Sequence, residues 1–184
     1  MREQYLSWDE MFFLISFAAA MRSKDPSTQC GACIIKDNKP LGIGYNGLVN
    51  GFKDTPKIWE KEEKKKYIMH AERNAIINSR TSDFSDCHLY IWTSNPKVFL
   101  PCDECARTIV QWRIPNVHVL KYPDSIDPKT DTRWNSWLTL ELFEFGKVKI
   151  FYHDGMMINK KLLLQANNKL ILPQPCSFPL SSVV

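Results

Sequence analysis

His70-Ala71-Glu72 and, about thirty residues on, Pro101-Cys102-Asp103-Glu104-Cys105 are the two pieces around which this chain is organised. One His and two Cys can hold a zinc ion with three protein ligands, leaving a fourth position for water. Both pieces fall where a helix is predicted to begin, HAERNAIINS from His70 and CARTIVQW from Cys105 to Trp112. Helix N-termini carry exposed N–H groups and partial positive charge, which stabilises thiolates at Cys102 and Cys105. Two thiolates also neutralise the formal charge of Zn²⁺, so bound water is less acidified than in a three-His site and a nearby base matters more. Glu72, two residues after the His, is placed to move protons without touching the metal. Taken singly, His70 reads as a satisfied core histidine, Glu72 as a surface carboxylate and C-x-x-C as a redox pair. Their joint pattern points to a catalytic zinc site.

Working outward, Ser7-Trp8-Asp9-Glu10 fits a capping box, and Met11, Leu14, Ile15 and Ala18 continue at helical spacing up to Asp25-Pro26. Residues 30–36 (CGACIIK) and 41–45 (LGIGY) predict two strands around the turn Asp37-Asn38-Lys39. Residues 46–68 read as a loop, its charge run from Lys57 to Lys66 a solvated face or short helix. Strands are predicted at 87–93 (CHLYIWT), Val117–Leu120 and Val148–Tyr152, and a further helix over Thr132–Phe145 ended by Gly146. Alternating strands and helices imply a three-layer α/β fold with a sheet covered on both faces. Beyond Asp154 the pattern fades into a Pro-rich end (LPQPCSFP).

The 184 residues suffice for one domain with its own core. The net charge of +4, from 24 Lys+Arg against 20 Asp+Glu, suits an anionic ligand and falls short of a polybasic nucleic-acid arm. No apolar run reaches 18 residues, and Met11 to Met21 lacks a basic leader, so no membrane span or signal peptide is expected. Of the six cysteines, four sit in C-x-x-C spacings, which places the protein in a reducing cytoplasm rather than a disulfide framework. Cys30 and Cys33 lie three apart in a predicted strand and point to opposite faces, so they read as buried small side chains. Cys87 and Cys176 read as structural.

The pattern H-x-E with P-C-x-x-C resembles the signature of zinc-dependent nucleobase deaminases. A closer resemblance is to the deoxycytidylate (dCMP) deaminase family. It is carried by Ser23-Lys24-Asp25-Pro26-Ser27-Thr28-Gln29, by Gly31-Ala32-Cys33-Ile34-Ile35 and by Gly42-Ile43-Gly44-Tyr45-Asn46-Gly47 with Asn50-Gly51. Tyr67, Asn74-Ala75-Ile76, Lys121-Tyr122 and Asp124-Ser125 extend it over roughly residues 5–153. The resemblance implies a three-layer α-β-α cytidine-deaminase-like fold, with a mixed five-stranded sheet and helices on both faces. It implies a catalytic domain over 1–154; the Pro-rich C-terminal extension over 155–184, which has no counterpart in the resemblance, is expected from its composition to pack on the domain or a neighbouring subunit. The expected reaction is hydrolysis of dCMP to dUMP and ammonia, supplying dUMP for dTMP synthesis. The expected assembly is a cytoplasmic homohexamer activated by dCTP and inhibited by dTTP, with Mg²⁺ accompanying the effector triphosphate.

Carried over residue by residue, the resemblance makes His70, Cys102 and Cys105 the zinc ligands and Glu72 the proton carrier. Asn46, Ala71, Tyr122 and the loop residues Arg22, Ser23 and Lys24 are expected around the substrate, the loop nearest its 5′-phosphate. Asn46, Gly47, Asn50 and Gly51 are expected at the effector site, where glycines let backbone N–H groups approach a triphosphate. Read without the resemblance, that segment is simply a turn. The chain departs from the family at Val49 (usually Pro), at Phe52 (often Cys) and in the longer loop 94–98, and without that Cys the resemblance gives no support for a second, structural zinc. A free cytidine or deoxycytidine deaminase, a dCTP deaminase, a tRNA adenosine or polynucleotide deaminase and a non-catalytic nucleotide sensor remain open. The polynucleotide reading wants a basic aromatic channel; Trp134 and Trp137, three apart on a predicted helix, read instead as packing.

Overall fold

The computed structural model describes residues 5–131 and 135–160. Helix α1 (Trp8–Ala20) opens with the expected capping box: the Glu10 amide donates to the Ser7 hydroxyl at 3.3 Å, and the Ser7 amide donates to the Glu10 carboxylate at 2.7 Å. Strands β1 (Cys30–Lys36) and β2 (Lys39–Tyr45) are joined by Asp37 and Asn38, at φ 51° and 59°. Two consecutive left-handed residues give a turn whose twist matches the flanking strands, and Asp and Asn tolerate it best after glycine.

The predicted loop 46–68 contains more structure than its sequence suggested. Strand β3 (Gly47–Leu48) pairs with β4 (Ile68–Met69), and between them lie a 3-10 turn (Pro56–Trp59) and the short helix α2 (Lys61–Lys64). Then follow α3 (Ala71–Ile77), β5 (His88–Thr93), α4 (Asp103–Gln111), β6 (Asn116–Lys121), α5 (Ser136–Phe145) and β7 (Lys149–Asp154). Residues 132–134, the predicted start of the fifth helix, lie outside the described residues, as does 161–184 with Cys176.

The main sheet has the order β2-β1-β5-β6-β7. Its β2-β1-β5 part is antiparallel, and β5-β6-β7 are parallel because α4 and α5 supply the crossovers that parallel neighbours require. Alternate residues of β1 feed two cores. Ala32 and Ile34 join Ala71, Ala75, Leu89, Ala106 and Ile109 beneath α3 and α4, whereas Cys33 and Ile35 join Phe12, Phe13 and Tyr90 beneath α1. Cys30 and Cys33 therefore do face apart. The resulting three layers and mixed five-stranded sheet are the expected architecture.

Glycines set how closely the helices lie. A Cβ on Gly44 would stand 2.3 Å from both the Ala71 carbonyl oxygen and the Ala75 nitrogen, and one on Gly31 would stand 1.9 Å from the Ser16 carbonyl oxygen. Backbone therefore lies directly on backbone at α3 over β2 and at α1 over β1. Gly146 ends α5 as expected: its φ is −77°, Lys147 takes the left-handed turn at 56°, and a Cβ at 146 would strike Val110 at 2.7 Å. Trp137, expected to pack, is half exposed, and Trp134 lies outside the described residues.

Gly44→Ala is expected to destabilise the protein by about 1–3 kcal/mol, because overpacking cannot relax against two backbone atoms; an unchanged urea midpoint would refute this. A second expectation concerns His118, 5% exposed, whose proton affinity is pushed down to about 3 by burial first and then by His153 and His88. The unfolded chain binds that proton near pH 6.5 and the folded chain does not. Its contribution is thus complete above about pH 6.5 and is lost towards pH 3, at up to about 1.4 kcal/mol per pH unit. Urea midpoints between pH 7 and pH 4 should fall more steeply in the wild type than in His118→Gln.

Candidate active site

His70 and Cys102 each occupy the residue just before a helix, α3 and α4 respectively, in extended backbone (φ −72°, ψ 155° and φ −68°, ψ 164°). Neither side chain caps its own helix. Instead they meet: His70 Nδ1 lies 3.3 Å from Cys102 Sγ and 3.4 Å from Cys105 Sγ. Tetrahedral zinc with ordinary Zn–N and Zn–S bonds would hold such atoms about 3.5–3.8 Å apart. The three donors fit the ion with shifts of a few tenths of an ångström, and the soft, nitrogen-and-sulfur donor set is the one zinc selects.

The electrostatics agree. Cys102 is held down at about 4, first by a hydrogen bond from the Cys105 thiol and also by His70. Contact with Cys102 in turn pushes His70 up to about 9 against the opposing effect of burial. A cation that replaces the shared protons takes over the stabilisation they provide. Glu72 sits in the first turn of α3, 7% exposed, and its carboxyl is raised by burial, with His70 pulling the other way. Desolvation of this kind leaves a carboxylate better able to accept a proton and hold it.

Cys30 approaches the same region without joining the donor set. Its Sγ lies 3.5 Å from Thr93 Oγ1, and burial pushes the thiol up to about 12, so it stays protonated. All five cysteines among the described residues are free thiols.

Asn46 is buried, and its amide is engaged on both sides. Oδ1 accepts from the Cys30 amide at 2.7 Å; Nδ2 donates to the Thr28 carbonyl at 2.8 Å and approaches Asp25 Oδ2 at 3.4 Å. Asp25 is buried in turn, where Lys64 Nζ lies 2.6 Å from Oδ1. Sequence reasoning misses this pair: Asp25 reads as a helix stop within the stretch that carries the resemblance, and Lys64 as one of many lysines in a charged run. Their pairing spans 39 residues and leaves no local pattern. The Ser23 hydroxyl donates to the Asn46 carbonyl at 2.8 Å, Lys24 pairs with Asp54, and Arg22 is exposed. Ala71 is fully buried at the start of α3.

Tyr122 packs its ring in the α1-side core, against Gly155, and its hydroxyl accepts from Asn159 Nδ2 at 2.8 Å. Asn50 and Gly51 form an exposed turn, Gly51 at φ 91°, closed by the Phe52 amide on the Val49 carbonyl at 3.5 Å. The loop 94–98 lies against Gln29 and the 125–126 segment: the Ser94 amide donates to the Gln29 carbonyl, and the Ser125 hydroxyl donates to the Pro96 carbonyl.

This layered fold, with a His and two Cys at paired helix starts and a buried Glu beside them, defines a zinc-binding deaminase. Residues 6–121 match the cytidine and deoxycytidylate deaminase zinc-binding region. The chain belongs to the cytidine and deoxycytidylate deaminase family. It is 42% identical over 133 residues to the deoxycytidylate deaminase of Pongo abelii, covering 67% of this chain and 71% of that protein. The Homo sapiens deoxycytidylate deaminase is 41% identical over the same shares. The fold is shared with dCMP deaminase from the cyanophage S-TIM5 in apo form, at TM-score 0.56 and 18% identity over 82% of this chain and all of that one. The same phage enzyme in complex with dCMP and dUMP gives a TM-score of 0.52 over 79% of this chain and 93% of that one.

Cys102→Ser is expected to cut the zinc content of the purified protein well below one per chain, while Cys30→Ser keeps it at the wild-type level. Metal analysis of the two variants checks this; equal zinc in both would remove Cys102 from the ligand set.

Proposed function

We propose that the protein deaminates dCMP hydrolytically to dUMP and ammonia. The observation that carries this reading is the buried Glu72 carboxyl set beside three converged donors, His70, Cys102 and Cys105. The deoxycytidylate deaminases related to it at about 42% identity supply the substrate. His70, Cys102 and Cys105 hold the zinc, whose chemistry when bound is to acidify water and stabilise negative charge on oxygen. Glu72 takes a proton from the attacking water and delivers it to N3 of the cytosine ring; it then takes the remaining proton from the hydroxyl now on C4 and passes it to the amino group, which leaves as ammonia as the C4–N bond breaks and the C4 carbonyl forms. Burial of Glu72 raises its proton affinity, which suits it to taking up the proton it must pass on. Proton transfer of this sort contributes about 10²–10⁴ in rate.

Asn46, locked by Cys30, Thr28 and Asp25, has one lone pair of Oδ1 left to offer a sugar hydroxyl, and Ala71 at the start of α3 borders the base. The loop Arg22-Ser23-Lys24 lies beside Asn46 and is the source of donors for the 5′-phosphate. Gly47, Asn50 and Gly51, with Asn46, form the segment that takes an effector triphosphate and its Mg²⁺. Activation by dCTP, inhibition by dTTP and a homohexameric assembly complete the reading, with the product dUMP serving dTMP synthesis. Free thiols support a cytoplasmic location, and no helix among the described residues is long and apolar enough to cross a membrane. Residues 155–160 are helical and bury Ile158 against the α1-side core, which supports a C-terminal extension packed on the catalytic domain.

Steady-state rates on dCMP, dCTP, CMP and deoxycytidine, each with and without dCTP or dTTP as effector, test this. Expected are preference for dCMP, a sigmoidal dCMP curve straightened by dCTP, and a loss of about 10³-fold or more in Glu72→Gln with zinc retained. Equal turnover of deoxycytidine would favour a free nucleoside enzyme, and near-normal activity of Glu72→Gln would end the proton-shuttle mechanism.

A further inference from the structure

The chain has four histidines, and the three that the deaminase site does not use meet on the other face of the sheet. His88, His118 and His153 come from the neighbouring strands β5, β6 and β7. His88 Nδ1 lies 2.8 Å from His118 Nε2, and His118 Nδ1 lies 2.9 Å from His153 Nε2. Asp9, in the first turn of α1, sets Oδ1 4.0 Å from His118 Nδ1 and accepts the Tyr90 hydroxyl at 2.6 Å. His118 is clamped between Tyr90 and Phe151, with ring centroids 4.1 and 4.5 Å away and planes within 17° and 8° of parallel. Phe13, one turn after Asp9 on α1, packs edge-on to His153 at 5.0 Å.

We propose that Asp9, His118 and His153 form a second metal site, for Zn²⁺ or a similar divalent transition ion, which fastens α1 to β6 and β7. The three ligand atoms all lie within 4.8 Å of one another. Bonds of about 2.0–2.2 Å would bring them to roughly 3.2–3.6 Å apart. The 2.9 Å histidine pair must open slightly, and Asp9 Oδ1 must close from 4.0 Å on His118 Nδ1. Asp9 has the freedom to do so, since its side chain is 46% exposed. His118 cannot rotate between its two stacking neighbours, so its Nδ1 is already aimed. With Nδ1 on the metal, its Nε2–H donates to His88 Nδ1, and His88 becomes the outer partner that ligating histidines almost always have. Tyr90 plays the same part for Asp9.

The surroundings favour a cation. A cleft of about 310 Å³ reaches Asp9, His88 and Tyr90 and is also lined by Asp37 and Asp86, giving an acidic approach for a positive ion. The donors are two imidazoles and a carboxylate, with no thiolate, so this site is spectroscopically distinct from the one formed by His70, Cys102 and Cys105. It also shares no residue with the segment around Phe52, where the family resemblance places a structural zinc in some members.

The test starts from full-length protein carrying its tightly held zinc. Co²⁺ is titrated in, and uptake is followed by metal analysis, visible absorption and X-ray absorption. The expected result is one further equivalent, with weak visible bands, a nitrogen and oxygen shell and no sulfur. His153→Gln and Asp9→Asn should each abolish that equivalent while retaining the first zinc and basal turnover. Added Zn²⁺ should raise the melting temperature of the wild type and leave that of both variants unchanged. Failure of the wild type to take up a second equivalent would overturn the proposal. So would sulfur around the added cobalt, or undiminished uptake in both variants.

Discussion

The contact on which the molecule depends is that of the α3 backbone with β2. Where Gly44 carries only hydrogen, the Ala71 carbonyl and the Ala75 amide occupy the space of a side chain. Ala71 and Ala75, both fully buried, keep the helix equally thin on its inner face. A helix seated this deeply has its first turn fixed in height and rotation, and His70 and Glu72 lie at that turn. Cys102 and Cys105 are brought to the same place by α4, whose Ala106 and Ile109 press into the same core. The geometry of the site is thus set by small residues that carry no chemistry.

A second level of support lies around Asn46. A buried Lys64–Asp25 pair is costly to desolvate and is tolerated only when its members are fully engaged, as they are here with Asn46, Ser27 and the turn after Asp25. Removing one partner would leave an uncompensated charge, a penalty of about 3–5 kcal/mol. The arrangement ties α2, the loop after α1 and the end of β2 together at a single amide.

What the sequence made legible is what local spacing encodes. The capping box at Ser7 and Glu10, the turn Asp37-Asn38, the five strands of the sheet and the two helix starts bearing His70 and Cys102 each have a pattern within a few residues. The two-residue strands β3 and β4 do not, because two residues show no alternation. Lys64, Asp25 and the cluster of His88, His118 and His153 arise from tertiary pairings between residues 30 to 39 positions apart, and no window of sequence registers them. Tyr122 likewise takes its place from tertiary packing, in the α1-side core.

His70 and Cys102 stand at the very positions where a serine or aspartate would ordinarily hold the first amides of a helix, and both turn away from that role. Each helix start is restrained through the other's side chain rather than through its own. Fraying of α3 and α4 is therefore a single event: neither first turn can loosen without parting the same three donor atoms. Amide hydrogens at the two helix starts, separated by thirty residues of chain, should exchange with solvent at one common rate that tracks occupancy of the metal.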